Sequence, residues 1–385
     1  MALGIKHLRV SNKMKIQSIQ VKGLSNKIDA LYEFEDDINI ITGINGTGKT
    51  TLIKLIWYLI SGNIERIAPE INYQYVRLVT DIYTVELNNN EGNITWKYSD
   101  AEKEHDGEYE LASDEFNDIG SEILNSLVIE HNNHSLFFPT FRRIEGGYSM
   151  ANTRRIRRRL GGGRFITEVI ERDDIQNEME TVADRLSVRD HKFICSISTH
   201  DIVTLLTKRY ALVSEKLNDH YKNFSTSIID TIQGAKKKGK KQVETESFNI
   251  LNNIQDKADE INNTREELLK PFGVLSELTA KIFRHKGIRV RSVTLGESVD
   301  AIDSGTLSAG EKQMLSFLCY NAFYSNSIIF IDEPELSLHP DWQRRLFPTL
   351  LKQQPSNQFI VATHSPFIYS KYEDKELIMD KNKGE

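Results

Sequence analysis

The stretch Gly43-Ile44-Asn45-Gly46-Thr47-Gly48-Lys49-Thr50 fits the pattern G-x-x-x-x-G-K-[ST] at every fixed position. It follows Ile38-Asn39-Ile40-Ile41, which reads as a strand, and precedes an apolar run from Leu52 to Ile60, which reads as a helix. Both contexts that the pattern requires are therefore present. Glycines let backbone N–H groups close around a β-phosphate without Cβ clashes, and the helix amino terminus adds partial positive charge at that point. Lys49 is then placed to reach the β- and γ-phosphates and Thr50 to ligate Mg²⁺, while Asn45, Gly46, Thr47, Gly48 and Thr51 complete the cradle. A glycine turn that binds nothing is the bland alternative, and the flanking strand and helix argue against it.

Working outward, Met14 opens an alternating run through Val21, so residues 1–13 read as a leader outside the functional part. Tyr75 to Leu87 and Ile94 to Tyr98 alternate on either side of Asn88-Asn89-Asn90-Glu91-Gly92, which predicts a hairpin. Beyond Tyr210 the period becomes helical. Leu217, Tyr221, Phe224, Ile228 and Ile232 mark one helix, and Leu251, Ile254, Ala258 and Ile261 mark a second. Between them lies Gly234-Ala235-Lys236-Lys237-Lys238-Gly239-Lys240-Lys241, so an antiparallel helical hairpin of about 35 Å tipped by lysines is expected.

With 385 residues, 39% hydrophobic and 27% charged, the chain has the composition of a folded globular protein with a sizeable core rather than a disordered or disulfide-framed one. No run approaches the length of a membrane helix and no secretory signal opens the chain, which points to the cytoplasm and away from membranes. Cys195 and Cys319 each sit in an apolar stretch and read as packing residues, not as a metal or disulfide pair.

Two further stretches carry chemistry. In Ile328-Ile329-Phe330-Ile331-Asp332-Glu333, a continuous apolar run delivers two carboxylates to the end of a buried parallel strand. Asp332 is suited to hold Mg²⁺, and Glu333, on the neighbouring position, to act as general base for an attacking water. Leu307-Ser308-Ala309-Gly310-Glu311-Lys312-Gln313 opens a helix bearing Met314, Leu315, Phe317, Leu318 and Ala322, and its S-x-x-E spacing fits a capping box between Ser308 and Glu311.

In their order along the chain, the phosphate loop, Leu-Ser-x-Gly-Glu, the apolar run ending Asp332-Glu333, and Thr363-His364 after a strand resemble the heads of ABC-type ATPases. The string Asp332-Glu333-Pro334-Glu335-Leu336-Ser337-Leu338-His339-Pro340 is similar to stand-alone heads of the SMC, RecF and OLD-like group rather than to transporters, which usually carry an Asp where His339 stands. The resemblance implies an α/β P-loop fold with a mixed-sheet lobe and a helical lobe, here with a short antiparallel helical-hairpin insertion. It divides the chain into the leader 1–13, lobe I at 14–205, the hairpin at 206–285 and lobe II at 286–385. It also implies ATP and Mg²⁺ as ligands and a dimer sandwiching two ATP molecules. In that dimer Ser308 and Gly310 touch the γ-phosphate held by the other subunit, and His364 is the switch histidine beside it. Lys49, Glu333 and His364 are thus the expected catalytic residues. Gln74 is the available candidate for the family's lobe-linking glutamine, although nothing in its surroundings marks it.

Net charge is −6, yet Arg142, Arg143, Arg154, Arg155, Arg157, Arg158, Arg159 and Arg164 face one acid, Glu145, in the same segment. With the lysines of Lys236–Lys241 this segregation makes nucleic acid, an acidic protein, or solvent alone the options for Arg142–Arg164. Pro139-Thr140-Phe141-Arg142-Arg143-Ile144-Glu145 is framed by aromatic and proline residues, and an ordered role is expected. It is similar to a stretch in ATPases of bacterial anti-phage systems, the PtuA type of Septu and retrons and the AriA type of PARIS. That resemblance implies a homo-oligomer, from a dimer up to a hexamer, that senses infection and restrains a separate nuclease or toxin. About 20 residues follow His364, too few for a fused nuclease of the OLD type, so a separate effector polypeptide is expected. A RecF-like DNA-repair clamp is the alternative reading and a transporter subunit the remote one.

Overall fold

The computed structural model describes residues 14–110, 119–131, 133–144, 152–160, 164–172, 174–237, 240–282 and 307–379. The chain runs β1 (Ile16–Leu24), β2 (Ile28–Glu33), β3 (Ile38–Thr42), α1 (Lys49–Ser61), α2 (Ile67–Glu70), β4 (Tyr75–Thr80), β5 (Tyr83–Asn90), β6 (Asn93–Asp100) and β7 (Glu104–Glu110). Then come α3 (Ile119–Ile129), β8 (His134–Phe138), β9 (Arg143–Ile144), β10 (Asn152–Leu160), β11 (Arg164–Arg172), α4 (Asp174–Leu186), β12 (His191–Phe193) and β13 (Ser196–Ile197). The remainder is α5 (Thr199–Lys237), α6 (Lys240–Ile282), α7 (Ala309–Phe323), β14 (Ser327–Asp332), α8 (Pro340–Gln353), β15 (Gln358–Ala362), α9 (Pro366–Tyr369) and β16 (Glu376–Ile378).

Two compact units result, one formed by Met1–Ser198, Ser308–Met314 and Tyr324–Glu385, the other by Thr199–Leu307 and Leu315–Phe323. In the first unit, a parallel sheet of order β12-β8-β14-β15-β3-β16 carries the motifs. Its strands β3, β14 and β15 are buried at every position, as continuous apolar runs covered on both faces must be. An antiparallel sheet of order β2-β1-β4-β5-β6-β7 alternates instead between buried and accessible positions, most regularly along β6. The expected ABC-head fold, a P-loop sheet beside an antiparallel one, is what the chain adopts.

Helix α1 fastens the phosphate loop to this core. Trp57 packs at 5.3 Å from the Phe137 ring and 5.5 Å from Phe193, and its Nε1–H donates to Ser135 Oγ at 3.0 Å. Ser135 Oγ in turn lies 2.8 Å from Nδ1 of His191, whose pKa burial pulls down to about 3. Cys195 and Cys319 are both buried and in no disulfide, in keeping with a packing role.

Two details depart from the periodicity. The alternating run Tyr75 to Leu87 is two strands, because Thr80 Oγ1 accepts the N–H groups of Ile82 and Tyr83 and turns the chain. The turn between β5 and β6 then needs only Glu91 and Gly92, both at positive φ, the geometry that matches hairpin twist. The helical hairpin is longer than the 35 Å expected. At 39 and 43 residues, α5 and α6 are each about 60 Å long, since apolar spacing marked only their middles. Within this second unit Leu217, Ile261 and Leu275 are buried and the Phe272 ring sits 4.8 Å from Phe323.

Candidate nucleotide site

The phosphate loop joins β3 to α1, and its last glycine is also the α1 N-cap. Gly48 has φ 88°, left-handed, where a side chain would be strained, and a Cβ there would press on Ile28 Cδ1 at 3.0 Å. The first helical bond runs from Leu52 N–H to the Gly48 carbonyl at 2.8 Å, so Lys49, Thr50 and Thr51 occupy the first turn, where backbone amides are available to an anion. Thr47 Oγ1 donates to Ile44 O at 2.9 Å and braces the loop, while Asn45 and Gly46 lie exposed at its crest.

Lys49 is buried, and its ammonium donates to Gly43 O at 3.1 Å, Ile44 O at 3.2 Å and His364 Nε2 at 2.6 Å. Burial draws the Lys49 pKa down, opposed by the charges of Glu333, Asp332 and Glu335. Burial and then the Lys49 charge likewise lower the His364 pKa, which suits a neutral ring whose Nε2 lone pair accepts the lysine proton.

Strand β14 ends at Asp332, which is fully buried. Its Oδ2 accepts from Thr50 Oγ1 at 2.9 Å and from Thr140 Oγ1, whereas the buried Oδ1 has no hydrogen-bond partner. An orphaned carboxylate oxygen of this kind is costly unless something cationic meets it. Among the described residues no three His, Cys, Asp or Glu side chains converge to hold a metal unaided. One carboxylate, one hydroxyl and the phosphates of a nucleotide are the donor set that Mg²⁺ ordinarily takes, so Thr50 and Asp332 fit that ion.

Glu333 follows in the left-handed region at φ 48°, its N–H donating to Ala362 O at 2.9 Å. Its Oε1 lies 3.3 Å from His364 Nε2. Burial first, then the hydrogen bond and charge of Glu335, push its pKa well above the usual carboxylate range. Lys49, Thr50, Asp332, Glu333 and His364 are therefore brought together, from three segments of the sequence, at one edge of the parallel sheet.

Ser308 and Gly310 make their described contacts elsewhere. Ser308 N–H and Oγ–H both donate to Glu311 Oε2, at 2.7 and 2.8 Å, closing the expected capping box. A Cβ on Gly310 would stand deep inside contact distance of Ser337 O, so the glycine is required by packing within the chain. Gln313 Nε2 donates to Pro334 O at 2.9 Å and ties the same helix to the turn after Glu333. His339 caps α8, its Nδ1 accepting from Asp341 N–H at 3.3 Å, which explains why a ring nitrogen can stand at this position. Gln74 is exposed at the start of β4, its backbone paired with Lys22 and Asn89.

Three contributors went unassigned in the sequence. Glu335 Oε1 accepts from Thr363 Oγ1 at 2.8 Å and His364 N–H at 2.7 Å, clamping the histidine loop. Thr140 and Arg142 both reach the end of β14. Arg142, counted above with the basic segment, is thus corrected: its guanidinium donates to Phe138 O, Pro139 O, Asp332 O and Glu333 O, at 3.3, 2.6, 2.6 and 3.0 Å, and is committed to the site. The proline and phenylalanine framing this arginine were the available signal. Arg143 opens β9, its backbone opposite Ser196 of β13, and the backbones of the other basic residues form the antiparallel ribbon β10–β11, with Arg155 opposite Val169 and Arg157 opposite Thr167. The tip Lys238–Gly239 and Glu145 fall outside the described residues.

A glycine-rich phosphate loop, an acidic strand end and a histidine against both, on one parallel sheet, define a P-loop ATPase head of the ABC type. The chain belongs to the AAA ATPase domain family, whose model matches residues 14–369. It is 34% identical over 89 residues to the Retron Ec83 probable ATPase of Escherichia coli, covering 20% of this chain and 16% of that protein. It is 29% identical over 154 residues to the Endonuclease GajA of Bacillus cereus (strain VD045), covering 34% and 26%. The Retron Vc95 probable ATPase of Vibrio cholerae serotype O1 biovar El Tor is 26% identical over 148 residues, covering 34% and 28%. The chain thus spans less than a third of the length of each of these relatives. Among solved structures, a Pyrococcus furiosus Smc head with bound ScpA domain aligns over 93% of this chain and 91% of its own, at 14% identity and TM-score 0.38. The ATP complex of the recombination mediator RecF aligns over 93% and 94%, at 12% identity and TM-score 0.38. No helix among the described residues is long and apolar enough to cross a membrane.

Proposed function

We propose that this chain binds ATP with Mg²⁺ and hydrolyses it slowly, using the cycle to change assembly state rather than to turn over a metabolite. The observation that carries this is the meeting of Lys49, Thr50, Asp332, Glu333 and His364, with Asp332 Oδ1 left as a buried acceptor for a cation. Lys49 and the first-turn amides of α1 bind the β- and γ-phosphates. Thr50 can offer an oxygen lone pair to the ion while its hydroxyl still donates its hydrogen bond to Asp332 Oδ2. Bound there, Mg²⁺ supplies charge neutralisation on the phosphate oxygens. Glu333 orients and deprotonates the attacking water, and His364 hydrogen-bonds the γ-phosphate edge. Ser308 and Gly310 serve the neighbouring copy of the chain, so the working unit is at least a dimer. Phosphate release with purified protein, dependent on Mg²⁺ and lost in Glu333→Gln, tests this reading; wild-type protein that releases no phosphate under any divalent cation refutes it.

Biologically, we assign the chain to a sensor or scaffold of a bacterial anti-phage complex that restrains a separate nuclease or toxin. Support comes from the two retron ATPases among its relatives. Co-purification with a second protein from the same locus, released on ATP addition, is the expected result. A DNA-clamping role is favoured by one observation, the five arginines within the nine residues of β10. Strongly salt-sensitive, ATP-dependent binding to DNA ends would select that reading instead.

A further inference from the structure

We infer that Thr140 and Arg142 are positioning residues that together aim Asp332 at a bound divalent cation and hold Glu333 in its left-handed turn. The inference rests on the ATPase reading above and deepens it.

A buried carboxylate can rotate and present either oxygen. Asp332 is held against rotation because Thr50 and Thr140, from two separate segments, both donate to Oδ2. All remaining acceptor capacity then sits on Oδ1, which no protein group uses. Thr140 Oγ1 is thus what makes the orphaned oxygen a defined one. Glu333 needs a different restraint, since a non-glycine residue at φ 48° is strained and persists only where its surroundings impose it. Arg142 imposes it from the carbonyl side, with Nη2 on Glu333 O, while Ala362 O takes the Glu333 N–H.

The guanidinium also spans two strand ends. Phe138 and Ile331 are the last partners in the pairing of β8 with β14, and beyond them the carbonyls of Pro139, Asp332 and Glu333 converge on Arg142. A planar fork of five donors can serve several carbonyls at once; a lysine ammonium on a flexible stem is a single point with three donors. The arrangement therefore calls for arginine rather than for any cation.

Thr140→Val, Thr140→Ser and Arg142→Lys in the full chain test the inference. Mn²⁺ binding is followed by electron paramagnetic resonance with a non-hydrolysable ATP analogue present, and nucleotide affinity by a fluorescent analogue without metal. Thr140→Val is expected to weaken Mn²⁺ binding about tenfold, the effect of one hydrogen bond to a charged group, with metal-free nucleotide affinity changed less than about threefold. Thr140→Ser, which keeps the hydroxyl, is expected to restore it. Arg142→Lys is expected to lower kcat about tenfold or more with KM changed less than about threefold. Thr140→Val protein that melts like wild type and binds Mn²⁺ equally well overturns the aiming of Asp332. Arg142→Lys protein that melts like wild type and keeps full kcat overturns the hold on Glu333; should it not fold, Thr140→Val still decides the first half. The Mn²⁺ measurement needs no turnover, so wild type that binds Mn²⁺ with nucleotide but releases no phosphate refutes the hydrolytic reading alone.

Discussion

Nζ of Lys49 donates to Nε2 of His364 across 2.6 Å, joining the phosphate loop to the loop after β15. On the proposed ATPase reading, a γ-phosphate entering the cradle would compete for both partners, so nucleotide binding and the freeing of the histidine would be one event. Lys49→Ala is expected to weaken nucleotide binding roughly tenfold to a hundredfold, the worth of one or two charge-assisted hydrogen bonds. His364→Ala is expected to leave binding within a few-fold of wild type and to lower hydrolysis instead. Isothermal titration alongside phosphate release separates the two.

Glu333→Gln keeps the shape of the side chain and removes its basicity. Hydrolysis is expected to fall by about 10²–10⁴ while ATP still binds, and trapped ATP-bound oligomer should accumulate on size exclusion. Unchanged turnover would remove Glu333 from the role of base.

Glu335 acts on the histidine loop through one oxygen that accepts from Thr363 and His364. Glu335→Ala is expected to cost about tenfold in kcat, whereas Glu335→Gln, which retains an acceptor oxygen, should stay within about threefold. Equal losses in the two variants would show that charge, not loop clamping, is what this residue supplies.

Gly310→Ala places a methyl against the Ser337 carbonyl. Overpacking of this kind costs about 1–3 kcal/mol, so a lowered melting temperature is expected together with loss of ATP-dependent association. Both would be read from one sample, by calorimetry and by light scattering.

His191 gives a stability signature independent of catalysis. Its folded pKa of about 3 lies below the value near 6.5 of an unfolded chain, so between those limits the unfolded state binds the extra proton. Stability therefore falls as pH drops from about 6.5, by roughly 1 kcal/mol per pH unit from this one group. Denaturant melts at stepped pH should show a slope that is shallower by one proton in His191→Gln than in wild type.

Local signals were legible and distant ones were not. The phosphate loop, the β14 carboxylates and the Ser308–Glu311 cap declare themselves because strand, turn and helix propensities act within a few residues. Arg142 could not be placed from sequence because its acceptors Asp332 and Glu333 lie 190 and 191 positions further on. Read locally it is one more arginine in a basic run, and only the parallel pairing of β8 with β14 brings the two ends together. The hairpin length was missed for another reason: a pair of helices buries a stripe only where it has something to pack on, so Leu217 is buried while Ile229 and Ile232 stay exposed.

The contact between Gly310 and the Ser337 carbonyl leaves no cushion between the serine turn and the loop that follows the acidic strand. Rearrangement of that loop during a catalytic cycle cannot be absorbed by a yielding side chain, because none is there. If the proposed cycle moves that loop, this one missing methyl group would make the serine turn follow it, a stiff link from a chain's own carboxylates to the turn proposed to serve a neighbouring copy.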